Sequence, residues 1–203
     1  MQLSHKGREY QLMDMSLDHL PQLLAIEQQS HSHPWSEANF ISSISSSHHC
    51  LVLIEQTALS EQTDLSDKTA LSEQTALSQK TALSEKIALS QKAPLSDLKI
   101  AAYIITSTAA DEAELLNITV APQFRRCGLA SLLLEHAETS FDTTIQNFFL
   151  EVRQSNANAI ALYDTLGFNE VGCRPNYYPA NGSPVNHQAG REDALIMAKT
   201  LGF

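Results

Sequence analysis

Apolar residues recur along this chain with two different periods, and each period predicts its own kind of element. Residues 8–15 read as a first strand. Ser16 then caps a helix running to Gln29, with Leu20, Leu23, Leu24 and Ile26 at helical spacing. A second helix starts at Pro34-Trp35-Ser36-Glu37, with Ser36 or a neighbour as its cap. Short apolar runs at 50–55 (CLVLIE) and 99–106 (KIAAYIIT) predict strands. In the strand at 114–120, Leu116, Ile118 and Val120 fall on one face and Leu115, Asn117 and Thr119 on the other. A turn after Ala121-Pro122 leads to a helix over 128–141, with Leu129, Leu132, Leu133 and Ala137 inward. Residues 147–153 predict a strand, and 156–166 a helix closed by Gly167 as a C-terminal cap. Strands at 168–173 and 194–198 complete the set. Strands and helices interleave, which predicts one mixed α/β domain.

Between the strands at 50–55 and 99–106 a third period intrudes. From Thr57 the chain reads TALSEQ, TDLSDK, TALSEQ, TALSQK, TALSEK, IALSQK, APLSDL, with Leu-Ser recurring every six residues from Leu59 to Leu95. On a helix, six residues leave each successive leucine turned by about 240°, so no apolar stripe forms. On a strand, an even period keeps the leucines on one face, but seven units make only about two coils of a β-solenoid, short of the usual three repeats. The segment is therefore read as a low-complexity expansion in a surface loop, with a short solenoid or a partner-binding arm as the alternatives. Loop-closure cost grows slowly with length, so such an insertion is tolerated. The expected organisation is a single domain over 1–203, interrupted at 57–98. Without the insert's 42 residues, 161 of the 203 remain, the size of one compact domain.

Charge sharpens this. The net charge is −10, and the insert, with six acidic and four basic residues, contributes only −2 of it. An acidic chain argues against direct nucleic-acid binding, which needs a basic surface, and suits a basic partner better. A hydrophobic fraction of 43% supports a core. No stretch approaches a membrane span, and residues 1–10 are too polar for a secretion signal. The three cysteines, Cys50, Cys127 and Cys173, form no pair motif. The expectation is a soluble cytoplasmic protein in a reducing compartment, acting as a monomer. His31, His33, His48 and His49 lack metal-ligand spacing, so no metal is expected.

The stretch 118–131, ITVAPQFRRCGLAS, carries the most chemistry. A strand runs into Arg125-Arg126-Cys127-Gly128-Leu129-Ala130 and then a helix. Free backbone N–H groups at a helix N-terminus, small residues at Gly128 and Ala130, and two arginines together make a phosphate-binding geometry. It is neither a Walker loop nor Gly-x-Gly-x-x-Gly. Alone, it reads equally well as an ordinary helix start.

The pattern resembles the acetyl-CoA loop of the GNAT N-acetyltransferases, Gln/Arg-x-x-Gly-x-Gly/Ala. Leu150-Glu151-Val152-Arg153, Ser155-Asn156, Ala161-Leu162-Tyr163 and Leu166-Gly167-Phe168 follow in the order of the RimI-type ribosomal-protein alanine N-acetyltransferases. His33-Pro34-Trp35-Ser36, Asn176-Tyr177-Tyr178-Pro179 and Gly190-Arg191-Glu192-Asp193-Ala194 are similar as well. The resemblance runs over about 8–200, the repeat apart. It implies a mixed twisted sheet with flanking helices, whose two central parallel strands splay to admit acetyl-CoA. Ile118, Thr119 and Val120 then offer strand backbone to the pantetheine arm and acetyl group. Arg125 and Arg126 through Ser131 (Cys127, Gly128, Leu129, Ala130) cradle the pyrophosphate, and Asn156 contacts the cofactor near its thiol. Glu151 is the implied general base and Tyr163 the implied general acid. The implied substrate is the N-terminal alanine of a ribosomal protein, S18. Ala130 stands where the second Gly is commonest, and Cys127 where a polar residue is usual.

These residue types suit the reaction. About a tenth of an α-amine with pKa near 8 is neutral at pH 7, far more than of a lysine. A carboxylate can take the ammonium proton, a strand N–H near Val120 can stabilise the charge growing on the carbonyl oxygen, and a phenol can protonate the departing sulfur. Each residue also has a plain structural reading: Glu151 as a strand-end carboxylate, Tyr163 as aromatic packing, Trp35 and Tyr177-Tyr178 as cleft wall or core, Arg174 and Arg191 as solvated or ion-paired. The competing functions are acetylation of another N-terminus or a free amine, a CoA-binding regulator without catalysis, and an interaction arm built from the repeat.

Overall fold

The computed structural model describes residues 1–56, 99–179 and 190–202. The hexapeptide repeat at 57–98 lies outside the described residues. Among the described residues, eight strands form one sheet: β1 (Gln2–His5), β2 (Arg8–Asp14), β3 (His49–Gln56), β4 (Lys99–Ala109), β5 (Glu112–Val120), β6 (Asn147–Arg153), β7 (Asn169–Pro179) and β8 (Arg191–Thr200). Helices α1 (Leu20–Ser30), α2 (Glu37–Ser45), α3 (Leu129–Ser140) and α4 (Ala157–Thr165) flank it. The strand order is β1-β2-β3-β4-β5-β6-β8-β7, as expected for a mixed α/β sheet, and of these pairings only β5–β6 is parallel.

Local sequence explains most boundaries. Pro21 fits only the first turn of a helix, so Leu17–His19 form a 3₁₀ turn behind Ser16 and the α-helix begins at Leu20. The continuous helix expected from Ser16 is thus two pieces. Ser36 caps α2 reciprocally: its hydroxyl accepts from the Asn39 amide at 3.3 Å, and Asn39 Oδ1 accepts from the Ser36 amide at 2.9 Å. Gly167, at φ +90°, closes α4 as expected. The polar N-terminus carries no strand period, yet β1 adds an edge strand against Arg8–Gln11.

The core runs along β3, β4 and β6. Phe40 packs edge-on between Trp35 and Tyr103, at centroid distances of 5.5 and 5.6 Å, which seats α2. Phe148 packs against Phe141 and Phe168, and Tyr163 of α4 against Phe168 at 5.8 Å. Leu129, Leu133 and Ala137 are buried as predicted; Leu134 is buried where Leu132 is only half-buried.

Two features of β5 open the sheet. A register shift pairs Thr106 with Leu115 but Ile105 with Asn117, so β5 carries a bulge at Leu116. Neighbouring residues of β4 point to opposite faces, so Leu115 does not share the face of Asn117 and Thr119 as strict alternation predicted. Pairing with β6 covers only Glu112–Asn147 to Leu115–Leu150. Beyond the bulge β5 runs on to Val120 and β6 to Arg153 without pairing, so the two parallel strands splay.

Candidate active site

The splay leaves one backbone edge of Leu116–Val120 without a strand partner among the described residues, which is the edge Ile118, Thr119 and Val120 offer. The three side chains do not face one ligand together. Thr119 is buried on the α1 side, where its hydroxyl hydrogen-bonds His31 Nε2 at 2.8 Å and donates to Glu27 Oε1 at 3.2 Å.

Past β5 the chain makes the loop predicted for phosphate. Arg126 (φ +64°) and Gly128 (φ +81°) both take the left-handed conformation, which turns the backbone sharply into α3. Gly128 is the N-cap and supplies no side-chain hydrogen bond, so the first-turn amides of Leu129, Ala130 and Ser131 are left without a capping side chain. These donors and the helix dipole fit an anion. A Cβ on Gly128 would lie 3.0 Å from His5 Nε2, so the cradle is closed behind by the β1–β2 turn. His5 Nε2 also hydrogen-bonds the Cys127 carbonyl at 2.7 Å. Arg125 turns back on the strand, donating from Nε to the Val120 carbonyl at 3.3 Å. Leu129 is buried, so only its backbone faces the cradle.

Glu151 sits on β6 one residue past the last β5 pair. Its Oε1 accepts from Arg174 Nε at 2.7 Å. It lines a cavity of about 230 Å³ with Glu112, Glu114 and Arg174. Tyr163 is 6% exposed. Burial, and then the charge of Tyr178, hold its hydroxyl above the ordinary phenol range. Tyr178 also touches Glu151: its hydroxyl donates to the Glu151 carbonyl at 3.4 Å, and burial pushes it up to about 12, with the Glu151 charge the next cause. The Arg153 guanidinium lies 4.3 Å from the Tyr178 ring centroid. Asn156 caps α4, its Oδ1 accepting from the Ala159 amide at 3.3 Å, and lines a second cavity of about 300 Å³ shared with His31, His33 and Arg153.

Sequence reasoning missed Glu27. Its side chain is 1% exposed, and its oxygens accept from Tyr103, from Asn117 Nδ2 at 3.2 Å, from Thr119 at 3.2 Å and from the Trp35 amide at 2.7 Å. The signal was present: Glu27 lies seven residues after Leu20, on the apolar stripe of α1. The ion pairing of Arg174 was foreseen as a possibility, but not its partner. Among the described residues no group of three His, Cys, Asp or Glu could hold a metal ion. Among the described residues no helix is long and apolar enough to cross a membrane. Cys50, Cys127 and Cys173 are free thiols.

The chain is similar to known proteins in sequence and in fold. The sequence model of the acetyltransferase (GNAT) family matches residues 93–168. A [ribosomal protein bS18]-alanine N-acetyltransferase of Salmonella typhimurium is 47% identical over 109 residues, covering 53% of this chain and 69% of that protein. Its Escherichia coli K12 counterpart is 47% identical over 106 residues, covering 52% and 67%. The crystal structure of the ribosomal-protein-S18-alanine N-acetyltransferase from Escherichia coli superposes with a TM-score of 0.66 at 32% identity, covering 96% of this chain and 95% of that one. Ard1 from Thermoplasma volcanium shares the fold at 17% identity, with a TM-score of 0.61.

Proposed function

This chain belongs to the acetyltransferase (GNAT) family, and from that premise we propose that it moves an acetyl group from acetyl-CoA to the α-amino group of an N-terminal alanine, that of ribosomal protein S18. It is an acetyl-CoA-dependent N-acetyltransferase. The observation that carries the finer reading is the parting of β5 from β6. A phosphate-compatible loop follows one lip at Arg126–Ser131, and a carboxylate, Glu151, sits on the other. The named activity of the two 47%-identical relatives supports the substrate.

In this reading the residues divide the work. Amides from Arg126 to Ser131 hold the pyrophosphate, and Arg125 adds charge nearby. The free edge of Ile118–Val120 aligns the pantetheine arm, and an N–H there faces the oxygen that gains charge. Asn156 meets the arm near its sulfur. The thioester is already activated, so no covalent enzyme intermediate is needed; the protein's task is alignment and proton handling. Glu151 accepts a proton from the amine. Tyr163, whose hydroxyl burial holds protonated above the ordinary phenol range, gives its proton to the departing sulfur in this reading. An acidic chain facing a basic ribosomal protein favours encounter. In this reading the protein acts in the cytoplasm as a monomer, a single domain over 1–203 that tolerates the 57–98 insertion.

The test is acetylation of peptides starting with Ala, Ser or Met, and of a lysine peptide. The expected result is Ala fastest. Equal rates, or activity on lysine alone, would sink the alanine reading.

A further inference from the structure

The Glu27 cluster is built at a cost that core packing does not require. Burying a carboxyl is expensive unless every lone pair is satisfied, and here four donors from α1's neighbours converge on one side chain. Those donors come from β4 (Tyr103), from the splayed part of β5 (Asn117 and Thr119) and from the loop before α2 (Trp35). The cluster therefore ties the helical wall of the cleft to the strand that leaves the sheet.

One member reaches the opening. His31, one turn after Glu27, has a 39% exposed side chain, with Nε2 2.8 Å from Thr119 Oγ1 and 3.5 Å from Glu27 Oε1. Nε2 is engaged by Thr119 and Glu27, which leaves Nδ1 as the other ring nitrogen, and His31 lines the 300 Å³ cavity together with Asn156. Glu151 opens into the other cavity, beside Arg174. The residue read as meeting the cofactor sulfur thus shares its space with an imidazole rather than with the carboxylate.

The reaction has room for two acceptors. A nitrogen that arrives as an ammonium with three protons leaves as an amide with one, so two protons must be removed. The departing sulfur takes one from Tyr163, which is then refilled, and one is released to solvent.

We propose that His31, oriented by Glu27 and Thr119, is a second proton acceptor in the cleft and takes the first proton of the substrate α-ammonium. One ammonium N–H bond breaks, the proton moves to Nδ1 of the neutral ring, and the electron pair stays on the amine for attack. The imidazolium then passes its proton to water. Glu27 is the positioning residue. This rests on the reading of the substrate as an N-terminal amine.

The charged and titratable groups that face His31 come from several elements. Glu27 faces it from α1, Tyr103 stands behind Glu27 on β4, and Thr119 faces it from β5. His33 lies in the same loop, hydrogen-bonded through Nδ1 to Arg153 at 3.2 Å. Arg153, the cation on β6, is already paired with Glu192 of β8 at 2.5 Å.

The experiment is kcat/KM on an alanine-starting peptide for wild type and His31→Gln at pH 7 and pH 9.5. The expected deficit at pH 7 is up to about tenfold, the limit set by the roughly one tenth of the α-amine that is already neutral there. At pH 9.5 the α-amine, with an ordinary pKa near 8, already arrives neutral, so the deficit should shrink to within a few-fold. A deficit of the same size at both pH values, which lost packing alone produces, overturns the proposal, and so does no deficit. Glu27→Gln should show the same pH-dependent deficit; if it does not fold, His31→Gln, altered at a half-exposed side chain, decides alone. An active wild type with an unaffected variant overturns this proposal only. A wild type inert on alanine peptides overturns the substrate reading with it.

Discussion

Arg174 holds Glu151: its Nε lies 2.7 Å from Oε1, and its guanidinium 5.5 Å from the Tyr177 ring centroid. The arginine side chain is 57% exposed and the carboxylate's only 18%. The partner that can leave is therefore the arginine. Its position at a register irregularity of β7, between Arg174 and Tyr178, leaves the strand free to re-aim it.

In the proposed reaction an incoming ammonium competes with this guanidinium for the same oxygen. Exposed ion pairs contribute about 0–1 kcal/mol, so Arg174→Gln should lower the peptide KM by up to about fivefold while kcat holds. Steady-state kinetics check this. A fall in kcat at unchanged KM would show instead that the arginine supports the carboxylate.

Gly128 is constrained twice, by a left-handed φ of +81° and by His5 Nε2 at 3.0 Å from a built Cβ. Gly128→Ala should cost about 1–2 kcal/mol of stability and weaken CoA binding about tenfold, as the loop amides shift. Calorimetry of CoA binding and a thermal melt measure both. The double variant with His5→Ala removes the clash but not the backbone strain. It should regain only part of the loss, and full recovery would mean the φ is not what matters.

The elements from β2 to β8 were legible because each carries its own period or punctuation: Ser36 before α2, Gly167 after α4, the apolar run of β4. The turn into α3 was legible for the same reason, since Gly128 and the strand before it are local. What was hidden is non-local. β1 is a polar edge strand recognisable only by its pairing with β2. The bulge at Leu116 exists only as register against β4. Glu27 interrupts an apolar stripe, but its meaning comes from Tyr103, Asn117 and Thr119, distant in sequence. The same holds for the Arg174–Glu151 pair.

Several buried or half-buried groups hold their protons more tightly in the folded chain. Burial pushes the Cys50 thiol up to about 11 and the Tyr178 hydroxyl up to about 12, and raises Tyr103 and Tyr163 above the ordinary range. Below the ordinary value of each group, about 9 for the thiol and 10 for the phenols, both states keep their protons and stability is at its full value. As pH climbs through that value toward the folded one, the unfolded chain releases protons that the folded chain retains, so stability falls. Urea melts should be level from pH 7 to about 8.5 and then decline, by up to about 1.4 kcal/mol per unit for each group in its window. Tyr163→Phe should make the decline shallower, keep the packing on Phe168 and still lower kcat. A slope unchanged by the substitution would place Tyr163 in water rather than in the core.

The ends of β3 and β4 meet. Glu55 pairs with Lys99 and Ile54 with Ile100 in antiparallel register, so the chain leaving Gln56 and the chain entering Lys99 stand where a tight hairpin could join them. The 42 residues of the repeat bridge a gap that a short turn can span. Replacing 57–98 by a turn of about two to four residues built on Asn-Gly should leave the far-ultraviolet spectrum, CoA affinity and kcat/KM on alanine peptides within about twofold of wild type. Shortening the closure by nearly four doublings, at about 0.6 kcal/mol each, should also raise stability by roughly 2 kcal/mol. A loss of folding would mean that the Leu-Ser units pack on the domain. A loss of kcat/KM on a whole ribosomal protein, with peptides unaffected, would make the repeat a substrate-docking arm.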